Sequence, residues 1–124
     1  MPNILLLIQR QVKKGIPDNK NPVWYRKRID EQFSIGREGT DIICNLPFVS
    51  RKHVVIFYKP GIFFGKLYLK ETSKNGTWYL APRVDNLSKA ILVRNQEVAI
   101  AKGSTFAILD EKKENGFAWT VHTN

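Results

Sequence analysis

Ser50-Arg51-Lys52-His53-Val54-Val55-Ile56-Phe57-Tyr58-Lys59-Pro60-Gly61 decides how the rest of the chain is read. A polar and basic stretch runs into apolar, β-branched and aromatic residues, and a Pro-Gly pair ends the run. That is a loop, a strand and a turn. Val54 to Tyr58 is apolar without alternation, which predicts a central strand covered on both faces. Outward from this segment the pattern recurs. Strands are predicted at Ile4–Lys13, Val23–Asp30, Phe33–Ile35, Asp41–Ile43, His53–Lys59, Gly65–Glu71, Thr77–Leu80, Ala90–Val93, Glu97–Ala101, Ser104–Asp110 and Phe117–His122. Asn75-Gly76 and Asn115-Gly116 stand between strand runs, where Asn-Gly is the strongest short hairpin signal because both residues tolerate positive φ. No apolar set recurs at helical spacing over a dozen residues. Many short strands with closely spaced turns predict an all-β chain, an antiparallel sandwich or barrel.

With 124 residues the chain is long enough for one core and too short for two, so residues 1–124 are read as a single domain. Ile4-Leu5-Leu6-Leu7-Ile8 is too short to span a bilayer and lacks the basic flank and cleavage site of a signal peptide, so it reads as a buried strand. One cysteine, Cys44, excludes an internal disulfide and fits a reducing compartment, cytoplasm or nucleus. Cys44 with His53 and His122 makes no ligand cluster, so neither metal nor cofactor is expected. Twenty Lys and Arg against 11 Asp and Glu leave a formal charge of +9, which attracts anions without selecting among them. The densest basic run, Arg26-Lys27-Arg28, sits within a predicted strand rather than forming a basic block.

Three loop segments remain: Gly36-Arg37, Ser50-Arg51-Lys52-His53 and Ser73-Lys74-Asn75-Gly76-Thr77. Each lies where a strand run breaks. Together they offer a hydroxyl, two guanidiniums and a carboxamide, donors that suit holding an anion better than breaking a bond. Phosphate fits them best, because guanidinium grips its oxygens as a bidentate fork. Ser50 and His53 do not read as a catalytic pair: three apart on a strand they face opposite ways, and no carboxylate is placed to orient the imidazole. A binding module rather than an enzyme is expected.

The three motifs, in this order and on a β background, resemble the signature of the forkhead-associated (FHA) domain. The resemblance covers roughly Ile4 to His122 and implies an antiparallel β-sandwich of about eleven strands with ligand loops at one end. It implies a monomeric module, without a membrane span, that recognises phosphothreonine in a partner protein. By position, Arg37 would ion-pair with the phosphate, Ser50 would hydrogen-bond it, and Arg51 would reach the phosphate or the peptide backbone. Asn75 would bond the peptide main chain, with Lys74 beside it. Gly36, His53, Gly76 and Thr77 would shape and brace the loops. Phe48 lies where some members read the third residue after phosphothreonine, and an aromatic there implies an apolar preference. The chain departs from the pattern after Asn75-Gly76-Thr77: Trp78-Tyr79-Leu80-Ala81-Pro82-Arg83 replaces a further Asn-Gly turn, so the Pro82–Lys89 loop is expected to take its own shape. The alternative readings are a basic nucleic-acid binder stacking bases on Trp24, Tyr25 or Tyr79, and a scaffold of the same fold that ignores phosphate. The dispersed charge makes nucleic acid the weaker choice.

Overall fold

The computed structural model describes residues 3–84 and 86–124. It contains twelve strands: β1 Ile4–Lys13, β2 Ile16–Pro17, β3 Val23–Arg28, β4 Phe33–Gly36, β5 Ile42–Ile43, β6 Val54–Lys59, β7 Lys66–Glu71, β8 Thr77–Leu80, β9 Ile91–Val93, β10 Glu97–Ile100, β11 Thr105–Leu109 and β12 Gly116–Thr123. They form two sheets. One runs β2-β1-β12-β11-β8-β9, with β3 pairing β1; the other runs β10-β7-β6-β4-β5. A single 3-10 turn, Leu87–Lys89, is the only helix among the described residues.

Each predicted strand is present, with ends agreeing to within two residues. Four expectations need correction. The pair β2–β1 was not foreseen: β2 is two residues long and contains Pro17, which tolerates only an edge position. The sandwich is not wholly antiparallel, since β4 and β5 pair in parallel through Ile35–Ile42 and Gly36–Ile43. A parallel pair ordinarily needs a long crossover; here the contact is so short that residues 37–41 suffice. Asp41 holds that link, accepting from the Ser34 N–H at 2.9 Å and hydroxyl at 3.0 Å, and pairing with Lys27 at 2.7 Å. Third, β6 is central in its sheet but alternates. Val54 and Ile56 are buried, while Val55 and Phe57 are only half-buried. Its outer face is open in the manner of antiparallel sheets, partly shielded by Phe57 stacked on Tyr68 at 5.8 Å between ring centroids. Fourth, Asn75-Gly76 links strands of different sheets and does not close a hairpin.

Alternation sets which faces meet. Leu5, Leu7, Phe106, Ile108, Trp119 and Val121 from one sheet pack against Phe33, Ile35, Val54, Ile56, Leu67 and Leu69 from the other. Trp119 and Phe106, both fully buried, stack at 5.3 Å, and the indole N–H of Trp119 donates to Gln9 at 2.9 Å. A second apolar cluster lies on the outer face of the larger sheet, where Leu87 of the 3-10 turn covers Val12, Leu80, Ala107, Leu109 and Ala118. In the Pro82–Lys89 segment Leu87 packs on the sheet; Asp85 lies outside the described residues.

Candidate functional site

Three connections meet around Ser50: the β4–β5 link, the β5–β6 loop and the β7–β8 crossover. Two polar groups of Ser50 reach the other two connections and the third braces its own loop. Its carbonyl accepts from the Arg37 N–H at 3.0 Å. Its hydroxyl accepts from the Lys74 N–H at 3.1 Å, and its own N–H donates to His53 Nδ1 at 3.0 Å. Because the hydroxyl oxygen accepts from Lys74, its hydrogen stays available to donate outward. Gly36 lets the strand end lie against the β5–β6 loop: a Cβ there would stand 2.0 Å from the Arg51 carbonyl oxygen.

His53 is fully buried and uses both ring nitrogens. Nδ1 accepts from Ser50, and Nε2 lies 2.9 Å from the Gly76 carbonyl, which makes it an N–H donor in the neutral ring. Ser50 and His53 are therefore neighbours in a tight turn. The expected opposite-face placement fails because β6 starts only at Val54. The correction still leaves no catalytic pair, since the imidazole has no free nitrogen for the Ser50 hydroxyl. Burial pushes the His53 pKa below its ordinary value of 6.5, against the raising effects of the Gly76 carbonyl and the nearby Glu71 carboxylate. A pKa lowered in the folded state means the unfolded chain binds the extra proton first. Stability is then complete above about pH 6.5 and falls as pH drops below it. Thermal melts between pH 7.5 and 5 check this, with His53→Asn expected to flatten that part of the profile.

Asn75-Gly76 is not a hairpin turn. Its flanking strands β7 and β8 belong to different sheets, so the dipeptide lies in a crossover. Gly76 has φ +89°, and its N–H donates to the Ser73 hydroxyl at 2.7 Å. Asn75 Nδ2 donates to the Phe48 carbonyl at 2.9 Å, tying the crossover to the β5–β6 loop, while its Oδ1 has no partner among the described residues. Asn115-Gly116, by contrast, does join a hairpin, β11–β12. Its loop is held by Asp110, which accepts from the Glu114 N–H at 2.9 Å and the Asn115 side chain at 3.1 Å.

Sequence reasoning gave no role to two residues beneath these loops. Glu71 is buried; it accepts from the Ser73 N–H at 2.5 Å and from the Thr77 hydroxyl, and it lies 3.7 Å from His53 Nε2. Ser73, also buried, closes the turn to Gly76. Alternation carried the signal for Glu71: Leu67, Leu69 and Glu71 occupy the same inward face of β7. Thr77, expected to brace the loops, is fully buried at the other end of the Glu71 bond.

The outer surface of this cluster is basic. Arg37, Arg51, Lys52 and Lys74 are exposed. Arg51 Nε pairs with Glu38 at 2.9 Å, with both side chains largely exposed. Among the described residues no carboxylate lies within ion-pair distance of Arg37 or Lys74. Beside Asn75 runs a groove of about 350 Å³ lined by Phe48, Trp78, Leu92, Arg94, Leu109, Asp110 and Glu111. The structure thus brings Arg37, Ser50, Arg51, Lys74, Asn75 and Phe48 into adjoining loops and places Gly36, His53, Gly76 and Thr77 beneath or between them. Of the aromatics considered for base stacking, only Trp24 is well exposed. Tyr25 and Tyr79 pack against the core. Cys44 is buried, and burial raises its thiol pKa to about 11, so it is not reactive.

The FHA domain profile matches residues 33–101, which include all ten of the residues just placed. Among solved structures, full-length yeast Pml1p is 18% identical with a TM-score of 0.70, covering 98% of this chain and 83% of that one. The MEK1 FHA domain in complex with a HOP1 phosphothreonine peptide is 16% identical with a TM-score of 0.60, covering 100% and 99%. The FHA2 domain of Rad53 complexed with a phosphotyrosyl peptide derived from Rad9 is 15% identical with a TM-score of 0.69, covering 99% and 78%. These likenesses establish the two-sheet sandwich. No curated protein matches significantly.

Proposed function

Because the chain belongs to the FHA domain family, we propose that it is a phosphopeptide-binding module acting as one domain and recognising phosphothreonine in a partner protein. One observation carries this reading: the carbonyl and hydroxyl of Ser50 tie two further connections to its own loop, so that Arg37, Arg51 and Lys74 border a hydroxyl with a hydrogen to spare. Arg37 provides the main charge for the phosphate and Ser50 a hydrogen bond. Arg51 assists. Asn75 Oδ1 accepts from the peptide backbone, while its amide stays bonded to Phe48. Nothing in this set breaks a bond, and the role is binding rather than catalysis.

The groove beside Asn75 receives residues that follow the phosphothreonine. Phe48, Trp78 and Leu92 favour an apolar side chain there, and the two carboxylates of Asp110 and Glu111 outweigh the one guanidinium of Arg94, which donates to the Asn75 carbonyl, against an acidic one. Calorimetry against a degenerate phosphothreonine peptide set, with phosphoserine and unphosphorylated controls, tests the whole reading. Micromolar binding is expected for phosphothreonine, weaker binding for phosphoserine, and none for the unmodified peptides. Equal binding of all three peptides, or strong selection of Asp after the phosphothreonine, would count against it.

Arg51 is the lesser of the two arginines because Glu38 already occupies its Nε. Arg51→Ala is expected to weaken binding by roughly two- to fivefold, in keeping with the small net value of an exposed pair. Glu38→Gln, which removes the competing carboxylate, should tighten binding by a few-fold in the same titration. A Glu38→Gln variant with weaker affinity would show that Glu38 orients Arg51 rather than competing for it.

A further inference from the structure

At the end of the sandwich away from these loops, the β6–β7 turn carries three adjacent large apolar side chains in solvent. Ile62 is 95% exposed, Phe63 92% and Phe64 74%. A single exposed apolar residue means little, whereas a contiguous exposed cluster marks an interaction site. The hairpin register fixes its place. Lys59–Lys66 closes one end of the β6–β7 ladder, and Val54–Glu71 closes the other, beside His53 and the site loops. Six residues of strand separate the two ends by roughly 20 Å.

The turn is built to project. A Cβ at Gly61 would stand 2.2 Å from the Phe64 carbonyl oxygen, so the backbone folds back tightly and leaves the three side chains pointing away from the body. Phe64 edges a hollow whose lining includes Tyr58, Leu67 and Ile100, and the unpaired charges beside it are basic. Lys66 and Lys102 are exposed and border a hollow with Phe64 and Tyr58, and among the described residues neither has an ion-pair partner. Lys59 also flanks the turn, paired with Glu97. An exposed apolar tip flanked by two unpaired lysines complements a soft apolar phase beneath a negative surface better than it complements a protein pocket. Apolar side chains partition into the headgroup boundary, and lysines near it are drawn to anionic lipid.

We propose that the Ile62-Phe63-Phe64 tip inserts into the interface of an anionic bilayer, with Lys66 and Lys102 contacting the lipid headgroups. The domain would then sit on a membrane with its opposite end, where Arg37, Ser50 and Lys74 lie, directed away from it. This stands whether or not the phosphopeptide reading holds, because the two ends share no residue.

The test is co-sedimentation of the full chain with phosphatidylcholine vesicles, with and without phosphatidylserine. Binding is expected to the phosphatidylserine vesicles and to weaken as salt is raised. Phe63→Ser/Phe64→Ser should lower the partition coefficient by roughly tenfold or more. Lys66→Glu/Lys102→Glu should lower it on phosphatidylserine vesicles alone. These side chains are exposed, so both variants should keep the parent melting temperature. No enhanced sedimentation with phosphatidylserine, or equal sedimentation of the Phe variant, overturns the proposal. So does self-association of the parent chain in sedimentation velocity that the Phe variant abolishes, which would assign the tip to a second copy.

Discussion

Replacing Arg37 with alanine is expected to weaken phosphothreonine-peptide binding on the order of a hundredfold or more, with the fold intact. The size follows from the side chain's freedom. Its backbone is fixed by the bond to the Ser50 carbonyl, its side chain is exposed, and no carboxylate among the described residues has claimed its charge. A guanidinium gripping phosphate makes two charge-assisted bonds, each contributing roughly 1.5–3 kcal/mol. Arg37→Lys should recover only part of the loss, because an ammonium lacks the planar fork. The same variant separates the nucleic-acid alternative. There one arginine among many gives a small loss, together with a steep dependence on salt. Calorimetry with one phosphothreonine peptide, at two salt concentrations, reads both quantities.

The second large effect is on stability. Glu71→Ala is expected to destabilise the domain by roughly 3 kcal/mol, lowering Tm by roughly 10 °C, because two buried donors lose their acceptor. Those donors are the Ser73 N–H and the Thr77 hydroxyl, both inside the crossover that presents Lys74 and Asn75. Affinity for the phosphopeptide should fall with it, although Glu71 is buried and touches no ligand. Glu71→Gln keeps the shape and one acceptor oxygen but turns an amide N–H₂ toward a donor, so an intermediate loss is expected. A melting temperature for Glu71→Ala within a degree or two of the parent would mean that Ser73 and Thr77 find other partners.

Much of this architecture is readable from local pattern because each strand carries its own periodicity. In β1, Leu5 and Leu7 are inward and buried; in β7, Leu67, Leu69 and Glu71 are. What could not be read is which sheet a strand joins. Asn75-Gly76 has the local chemistry of a hairpin, yet only Gly76 takes a positive φ, and β7 and β8 part into different sheets there. The dipeptide fixes a turn; long-range packing decides where the turn leads. The Ser50–His53 pairing was hidden for a related reason. Ser50 to His53 lie before β6 begins, where the chain turns tightly and strand alternation does not apply. Pro17 concealed β2, since a proline in a two-residue strand carries no periodicity at all.

Of the site itself, the exposed cations and the Ser50 hydroxyl were legible by residue type. Their support was less so. Glu71 was marked only by its place in the inward alternation of β7, and Ser73, beyond the end of that strand, carries no such mark. The Glu38–Arg51 pair ranks the two arginines, and neither spacing nor composition could have supplied that ranking.

Backbone amide chemical shifts of the isotopically labelled protein, titrated with a phosphothreonine peptide, test the central claim most directly. Large, saturable shifts are expected at Arg37, Ser50, Arg51, Lys74 and Asn75, smaller ones along the groove at Phe48 and Leu92, and no response to the unphosphorylated peptide. Shifts confined to other faces of the sandwich, or equal shifts with the unphosphorylated peptide, would contradict it.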